Sequence, residues 1–411
     1  MESFVTFFNK RILTALLLSS ALVACSSDDD DEEEAPAFAE LTKIEALFEP
    51  EVIWDESIGD GVEHYFSRLS PTIAYGKVFT ADRLGDAYAL DLATGDVVWS
   101  IDLSDVNDER SFFDDRVSAR IAGGASTGYD KVVWGSENGD VFALNAETGE
   151  LEWQAKVPGE VISKPEFDSN FVIINTASGA LVALDVTTGE EVWKAEQSVP
   201  PLSLRGVSGV TINSGGIFVG LASGEVGVYI VENGQQGWAK EIGEPSGSTE
   251  LQRIVDVDVT PVIFGDKVFA ISSNGNLAAI DLRSGREVWK RKYSSYRKLT
   301  VSGNQIFATD IQGHLYAINR NSGMELWSNL ALTNRGTTGA VSVGDYVVVG
   351  DFEGYLHWIS KDDGTIVARH QVDSSGIYVT PVEHEGLLYV QSRDGDLEVI
   401  KTPEIIKASA E

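Results

Sequence analysis

Five stretches of the chain read almost alike: ALDLATGDVVW (89–99), ALNAETGELEW (143–153), ALDVTTGEEVW (183–193), AIDLRSGREVW (279–289) and AINRNSGMELW (317–327). In each, a Gly four residues upstream opens a short apolar run. A turn of Asp or Asn, then Thr or Ser, then Gly follows, and a second run ends on Trp. Gly there supplies positive φ at no steric cost. Strand, tight turn and strand recurring at this spacing predict the blades of a β-propeller.

Weaker copies extend the pattern. Seven of the nine Trp share one repeat position: Trp54, Trp99, Trp153, Trp193, Trp238, Trp289 and Trp327. VYIVENGQQGW (228–238) is a degenerate copy, and WISKDDGTIVA (358–368) is another with Ala368 where Trp is expected. Six residues before each motif Gly stands a bulky apolar residue: Phe79, Val133, Ile173, Phe218, Phe269, Phe307, Val348 and Tyr389. Pro71, Pro165, Pro261 and Pro381 lie eight residues before four of these. Each unit therefore holds about four short strands. The unit of Trp54 has only a last strand, and the unit after Pro381 has only the first three. The strand around Val52–Trp54 is expected to complete that final blade. This gives an all-β, eight-bladed propeller over residues 41–402, closed by its N-terminal strand, which removes the open edge that a linear array would present. The repeated Trp are expected to pack between neighbouring blades.

The N-terminus reads as a targeting signal. Lys10 and Arg11 precede an apolar run, Ile12 to Ala21, too short for a comfortable membrane span, and then Leu22-Val23-Ala24-Cys25. This order resembles the lipobox of bacterial lipoproteins. The resemblance implies cleavage after residue 24 and acyl chains on Cys25, the sole cysteine. Ser26 and Ser27, in place of Asp, imply transport to the outer membrane. Residues 25–40 are then an acidic tether containing the run Asp28–Glu34, and 403–411 a short tail. Removing residues 1–24 takes away Glu2, Lys10 and Arg11, so the formal charge moves from −33 to −34. Such a chain repels nucleic acid.

Motifs for chemistry are missing. The five His show no i, i+4 pairing. His314 and His357 follow motif Gly residues and read as structural blade residues. No G-x-S-x-G occurs. Gly123–Gly128 lacks the Lys of a phosphate loop and reads as a turn between strands. The repeats resemble those of quinoprotein dehydrogenases, which implies an eight-bladed ring. That family's adjacent cysteines are absent, and its calcium site of oxygen ligands stays open, since Asp, Asn and Glu are plentiful. The expectation is no enzyme, no cofactor and no metal. A quinone-cofactor (PQQ-type) dehydrogenase and a ligand-binding surface lipoprotein stand as alternatives.

Two inter-blade segments differ from the rest: Pro200–Gly206 and Arg253–Pro261. Arg205 lies 13 residues before Phe218 and Asp256 lies 13 before Phe269, so they occupy equivalent places in consecutive blades. With Leu202, Leu204 and Asp258 they form either an interaction surface with an apolar centre or an internal ion pair above buried leucines. A lipoprotein signal followed by such a propeller resembles the outer membrane protein assembly factor BamB family. LSLRG (202–206), DVDVTP (256–261) and NGNLAAIDLRSGREVWKR (274–291) are especially similar to it. The resemblance implies a scaffold lipoprotein of the BAM complex that faces the periplasm. It also implies that Leu202, Leu204, Arg205, Asp256 and Asp258 bind BamA, the β-barrel insertase, through its POTRA domains. Unfolded outer-membrane protein clients are a further expected partner.

Overall fold

A computed structural model of the chain describes residues 37–62, 64–106, 117–245 and 247–403. The leader, Cys25, the run Asp28–Glu34 and most of the tail lie outside the described residues. The described residues form 32 strands in eight four-stranded antiparallel sheets. Apart from one turn of 3-10 helix, Leu251–Arg253, they are strands and connections.

Numbered in chain order, blades 1 to 7 span 72–102, 126–156, 166–196, 210–241, 262–291, 300–329 and 341–371. Blade 8 takes three strands from 382–401 and its fourth, Glu51–Ser57, from the other end of the chain. Glu51–Ser57 pairs antiparallel with Asp396–Lys401, so the expected closure holds. First strands of successive blades touch one another and line the axis. The core is divided into layers. Apolar clusters sit between blades, for example Val133, Trp153, Val172 and Val182 between blades 2 and 3, and Phe218, Val226, Val268 and Ile280 between blades 4 and 5. A single blade therefore cannot bury both of its faces without neighbours.

The repeated turn locks blade to blade. In blade 3, Asp185 Oδ1 accepts the N–H groups of Thr187 and Thr188 at 2.8 and 2.9 Å, and Gly189 N–H returns to the Asp185 carbonyl at 2.9 Å. Gly189 has φ +74°, and a Cβ on it would lie 2.6 Å from the ring of Trp153 in the preceding blade. Trp153 donates its indole N–H to Val186 O at 3.0 Å. The same Trp-on-Gly stacking runs from Trp54 on Gly95 to Trp327 on Gly364. Packing between neighbouring blades is thus the role of the motif Trp, as expected.

Packing against the blades already includes Phe38, ahead of the expected boundary at residue 41. Phe38 meets Phe352 edge-on at 5.0 Å, and Ala39 N–H donates to Thr333 O at 2.9 Å. Arg335 and Arg369 donate to the carbonyls of Ala39 and Thr42. This strap leads along blade 7 into the closing strand. In the segment Gly123–Gly128, Ser126–Gly128 is itself the first strand of blade 2 and only the part before it is a connection. That corrects the reading of the whole stretch as a turn. His357 is buried against Asp351 at 3.0 Å, and His314 bonds Asp310 at 3.0 Å, so both are structural as expected.

Candidate functional site

The site is built on the connections that carry the chain from the last strand of one blade to the first strand of the next. The segment 197–209 joins blades 3 and 4, and 242–261 joins blades 4 and 5. They lie against each other because glycines let backbone and side chains approach. A Cβ on Gly206 would lie 2.2 Å from Asp258 Oδ2, and one on Gly220 would lie 2.1 Å from Val257 O. Ser208 Oγ accepts from Gly220 N–H at 3.0 Å and donates to Gly209 O at 2.6 Å.

Asp256 and Asp258 lie beneath this pair of connections, only 1% and 4% exposed. Asp256 Oδ2 accepts the backbone N–H of Leu204 at 2.7 Å, so the carboxylate fastens the 202–206 segment from below. Burial holds the Asp256 carboxyl above its usual range, against the pull of that N–H. Burial pushes Asp258 up to about 7; the charge of Arg68 opposes the shift and that of Asp256 adds to it. Arg68 donates through Nη1 to Val207 O at 2.7 Å and to Asp258 O at 3.1 Å, binding the connection before blade 1 to both segments.

Above the carboxylates, Leu202 is 48% exposed, Leu204 is half-buried and the Arg205 side chain is 47% exposed. Arg205 does not pair with Asp256 or Asp258. Its guanidinium turns toward blade 2, reaching Glu137 at 3.3 Å and Glu160 at 3.4 Å. The alternative of an internal pair with both leucines buried beneath it does not hold: the acids are under the loop and the arginine points away from them. Glu137 also takes Arg83 at 3.0 Å, and Arg83 lies over the Tyr65 ring at 3.6 Å. A chain of alternating charge thus runs Arg83, Glu137, Arg205, Glu160 across the face. Beside it opens a groove of about 440 Å³ lined by Glu160, Ser178, Val199, Leu204 and Arg205.

Glu137, Glu160, Arg83 and Arg68 were not singled out by the sequence. A signal existed for two of them: Arg83 and Glu137 each stand four residues after the bulky apolar position of their unit, Phe79 and Val133, and so meet in consecutive blades. Glu160 and Arg68 sit in connections of irregular length, which carry no register. Among the described residues no group of three or more His, Cys, Asp or Glu is placed to hold a metal ion.

The profile of a family described as outer membrane protein assembly factor BamB matches residues 85–329 and 312–403. The chain is 44% identical over 365 residues to the outer membrane protein assembly factor BamB of Shewanella oneidensis, covering 89% of this chain and 92% of that one. Its fold is similar to the crystal structure of BamB from Moraxella catarrhalis, with TM-score 0.76 and 24% identity over 86% of this chain and 100% of that one. A quinohemoprotein alcohol dehydrogenase from Comamonas testosteroni shares the fold at TM-score 0.68 and 12% identity, covering 88% of this chain and 78% of that one.

Proposed function

This chain belongs to the BamB family of outer membrane protein assembly factors, and from that membership we propose that it is a non-enzymatic scaffold of the BAM complex. It works at the outer membrane on the periplasmic side. The finer reading is that the 202–206 segment docks on the POTRA domains of BamA. Leu202 supplies apolar contact and Arg205 supplies a guanidinium for partner carboxylates or carbonyls. Asp256 and Asp258, being buried, act as positioning residues that hold the segment's shape. The observation that carries this reading is the Asp256–Leu204 hydrogen bond beneath an exposed Leu202 and Arg205. A docking loop that is fastened before the partner arrives loses less entropy on binding. Anchoring through acyl chains on Cys25 is part of the same proposal.

The test is calorimetric binding of purified POTRA domains to Arg205→Glu, beside a thermal melt. Arg205 here bonds only acids; Glu160 is part exposed and Glu137 keeps Arg83, so the melt should hold. Affinity should fall by about 30-fold or more if the contact is desolvated, corresponding to roughly 2–5 kcal/mol. Unchanged affinity, or lost affinity with a collapsed melt, would place the insertase contact elsewhere.

A further inference from the structure

The mouth of the axis gathers positive charge in a strongly acidic protein. A cavity of about 250 Å³ there is lined by the residues that immediately precede the first strands of several blades. Four of these are cationic: Arg68 ahead of blade 1, Lys164 ahead of blade 3, and Arg297 with Lys298 ahead of blade 6. They come from three separate sectors of the ring. The formal net charge of the chain is −33, with 31 Lys and Arg against 64 Asp and Glu, so four cations with one lining acid reverse the overall balance.

The partners of these cations are few. Lys164 Nζ donates to Thr72 Oγ1 at 3.2 Å. Among the described residues the Lys298 amine has no hydrogen-bond acceptor. Arg297 reaches Gly336 O at 3.5 Å and lies over the Tyr296 ring at 4.7 Å. Arg68 gives its Nη1 to two backbone carbonyls, and its other N–H groups are not taken up by them. The lining acid, Asp258, carries a carboxyl that burial drives toward its neutral form, and the nearby Glu166 is shifted the same way. Burial lowers both lysines, and the charge of Lys164 lowers Lys298 further. Lys298 reaches solvent while Lys164 is largely covered, and like charges held this close are costly and are relieved by a bound anion.

We propose that the axial cavity binds a compact oxyanion of the phosphate class. Donors arriving from three sectors suit a tetrahedral group better than a planar carboxylate, which asks for a fork from one side. Lysine serves phosphate as a point charge, which fits amines at Lys164 and Lys298 beside the Arg297 guanidinium. Free phosphate and the phosphate of a phosphorylated lipid headgroup share this chemistry.

The experiment titrates the mature protein with inorganic phosphate and with glycerol 3-phosphate, by calorimetry and by thermal melt, at ionic strength held constant with sodium chloride. Saturable binding with a raised melting temperature is expected. Preference for inorganic phosphate would mark a free phosphate as the ligand, and preference for glycerol 3-phosphate a headgroup. Lys164→Met and Lys298→Met should each weaken binding by about tenfold to a hundredfold, the weight of a charge-assisted hydrogen bond. Lys298 anchors nothing in the structure, so that variant should keep its fold, which its ligand-free melt checks. Lys292→Met, at an exposed position just after the outer strand of blade 5, should bind as the parent does. A response that follows ionic strength alone, or equal weakening in all three variants, would overturn the proposal.

Discussion

Trp358 and Ala368 face each other across the third and fourth strands of blade 7, with Trp on the third strand and Ala on the fourth. Every other blade has the reverse order. Ala89 faces Trp99, Ala183 faces Trp193 and Ala317 faces Trp327, with Val228 and Val399 in the Ala place opposite Trp238 and Trp54. The exchange follows from ring closure. A fourth-strand Trp stacks on the turn Gly of the next blade, and blade 8 has no such turn, because its last two strands come from opposite chain ends. Trp358 fills the seam from one strand further in. It is fully buried, donates its indole N–H to Thr402 Oγ1 at 2.9 Å and meets Phe48 edge-on at 6.3 Å.

Replacing Trp358 by Ala should therefore destabilise the propeller by about 3–5 kcal/mol, the usual cost of emptying a large aromatic site in a core. The double exchange Trp358→Ala with Ala368→Trp should not restore it, since no turn Gly waits on blade 8. Denaturant unfolding of the two variants checks this. Recovery in the double variant would mean that the seam accepts Trp from either strand.

Asp256 acts on the partner segment through one oxygen. Asp256→Ala leaves the Leu204 N–H without its acceptor, which costs about 1–3 kcal/mol locally. Asp256→Asn keeps an acceptor oxygen in place. Limited proteolysis within 200–206 should be faster for the Ala variant only, and POTRA binding should weaken about tenfold for it and little for Asn. Equal losses in both would assign the effect to the charge rather than to the hydrogen bond.

Asp258 gives the protein a pH signature of unusual sign. Its folded value of about 7 lies above its ordinary value of 3.8, so the native state binds the proton more tightly than the unfolded chain does. Its contribution to stability is present in acid and is lost as pH rises from about 4 through 7, with a span on the order of 4 kcal/mol. Denaturant midpoints measured from pH 5.5 to pH 8 should fall more steeply for the parent than for Asp258→Asn, which does not titrate. Parallel curves would show that the carboxyl ionises freely in the fold.

Cys25 is the proposed point of lipid attachment. Mass spectrometry of the mature protein should find residue 25 as its N-terminus and carrying acyl chains. Cys25→Ala should accumulate as uncleaved precursor or appear in the soluble periplasmic fraction. An unmodified internal Cys25 would refute the anchor.

Much of the ring was legible because its determinants repeat in register. Trp193 with Gly234, and Trp289 with Gly323, are one relationship written several times, and the missing strands around Trp54 and Pro381 expose the closure. Where the repeat breaks, the sequence becomes silent. Ala368 announces a lost Trp, but nothing in the chain says that Trp358 stands in for it across the strand pair. Arg205 and Asp256 were aligned by counting, and counting gives a place in the ring without depth or direction. Burial of Asp256 and the turn of Arg205 toward Glu160 depend on connections of irregular length. The axial cations are harder still, because Arg68, Lys164 and Lys298 meet only when three distant blades are in place.

Closure by Glu51–Ser57 also sets an order in time. That strand is made before every other strand of the ring, and its partner Asp396–Lys401 after all of them. The seal therefore waits until the rest of the ring has been made. A chain interrupted before residue 396 has blades but no ring, and it carries an unmatched strand at its front. Completeness of the ring is thereby registered in its shape, with the closing pair unavailable until the last strand has been made.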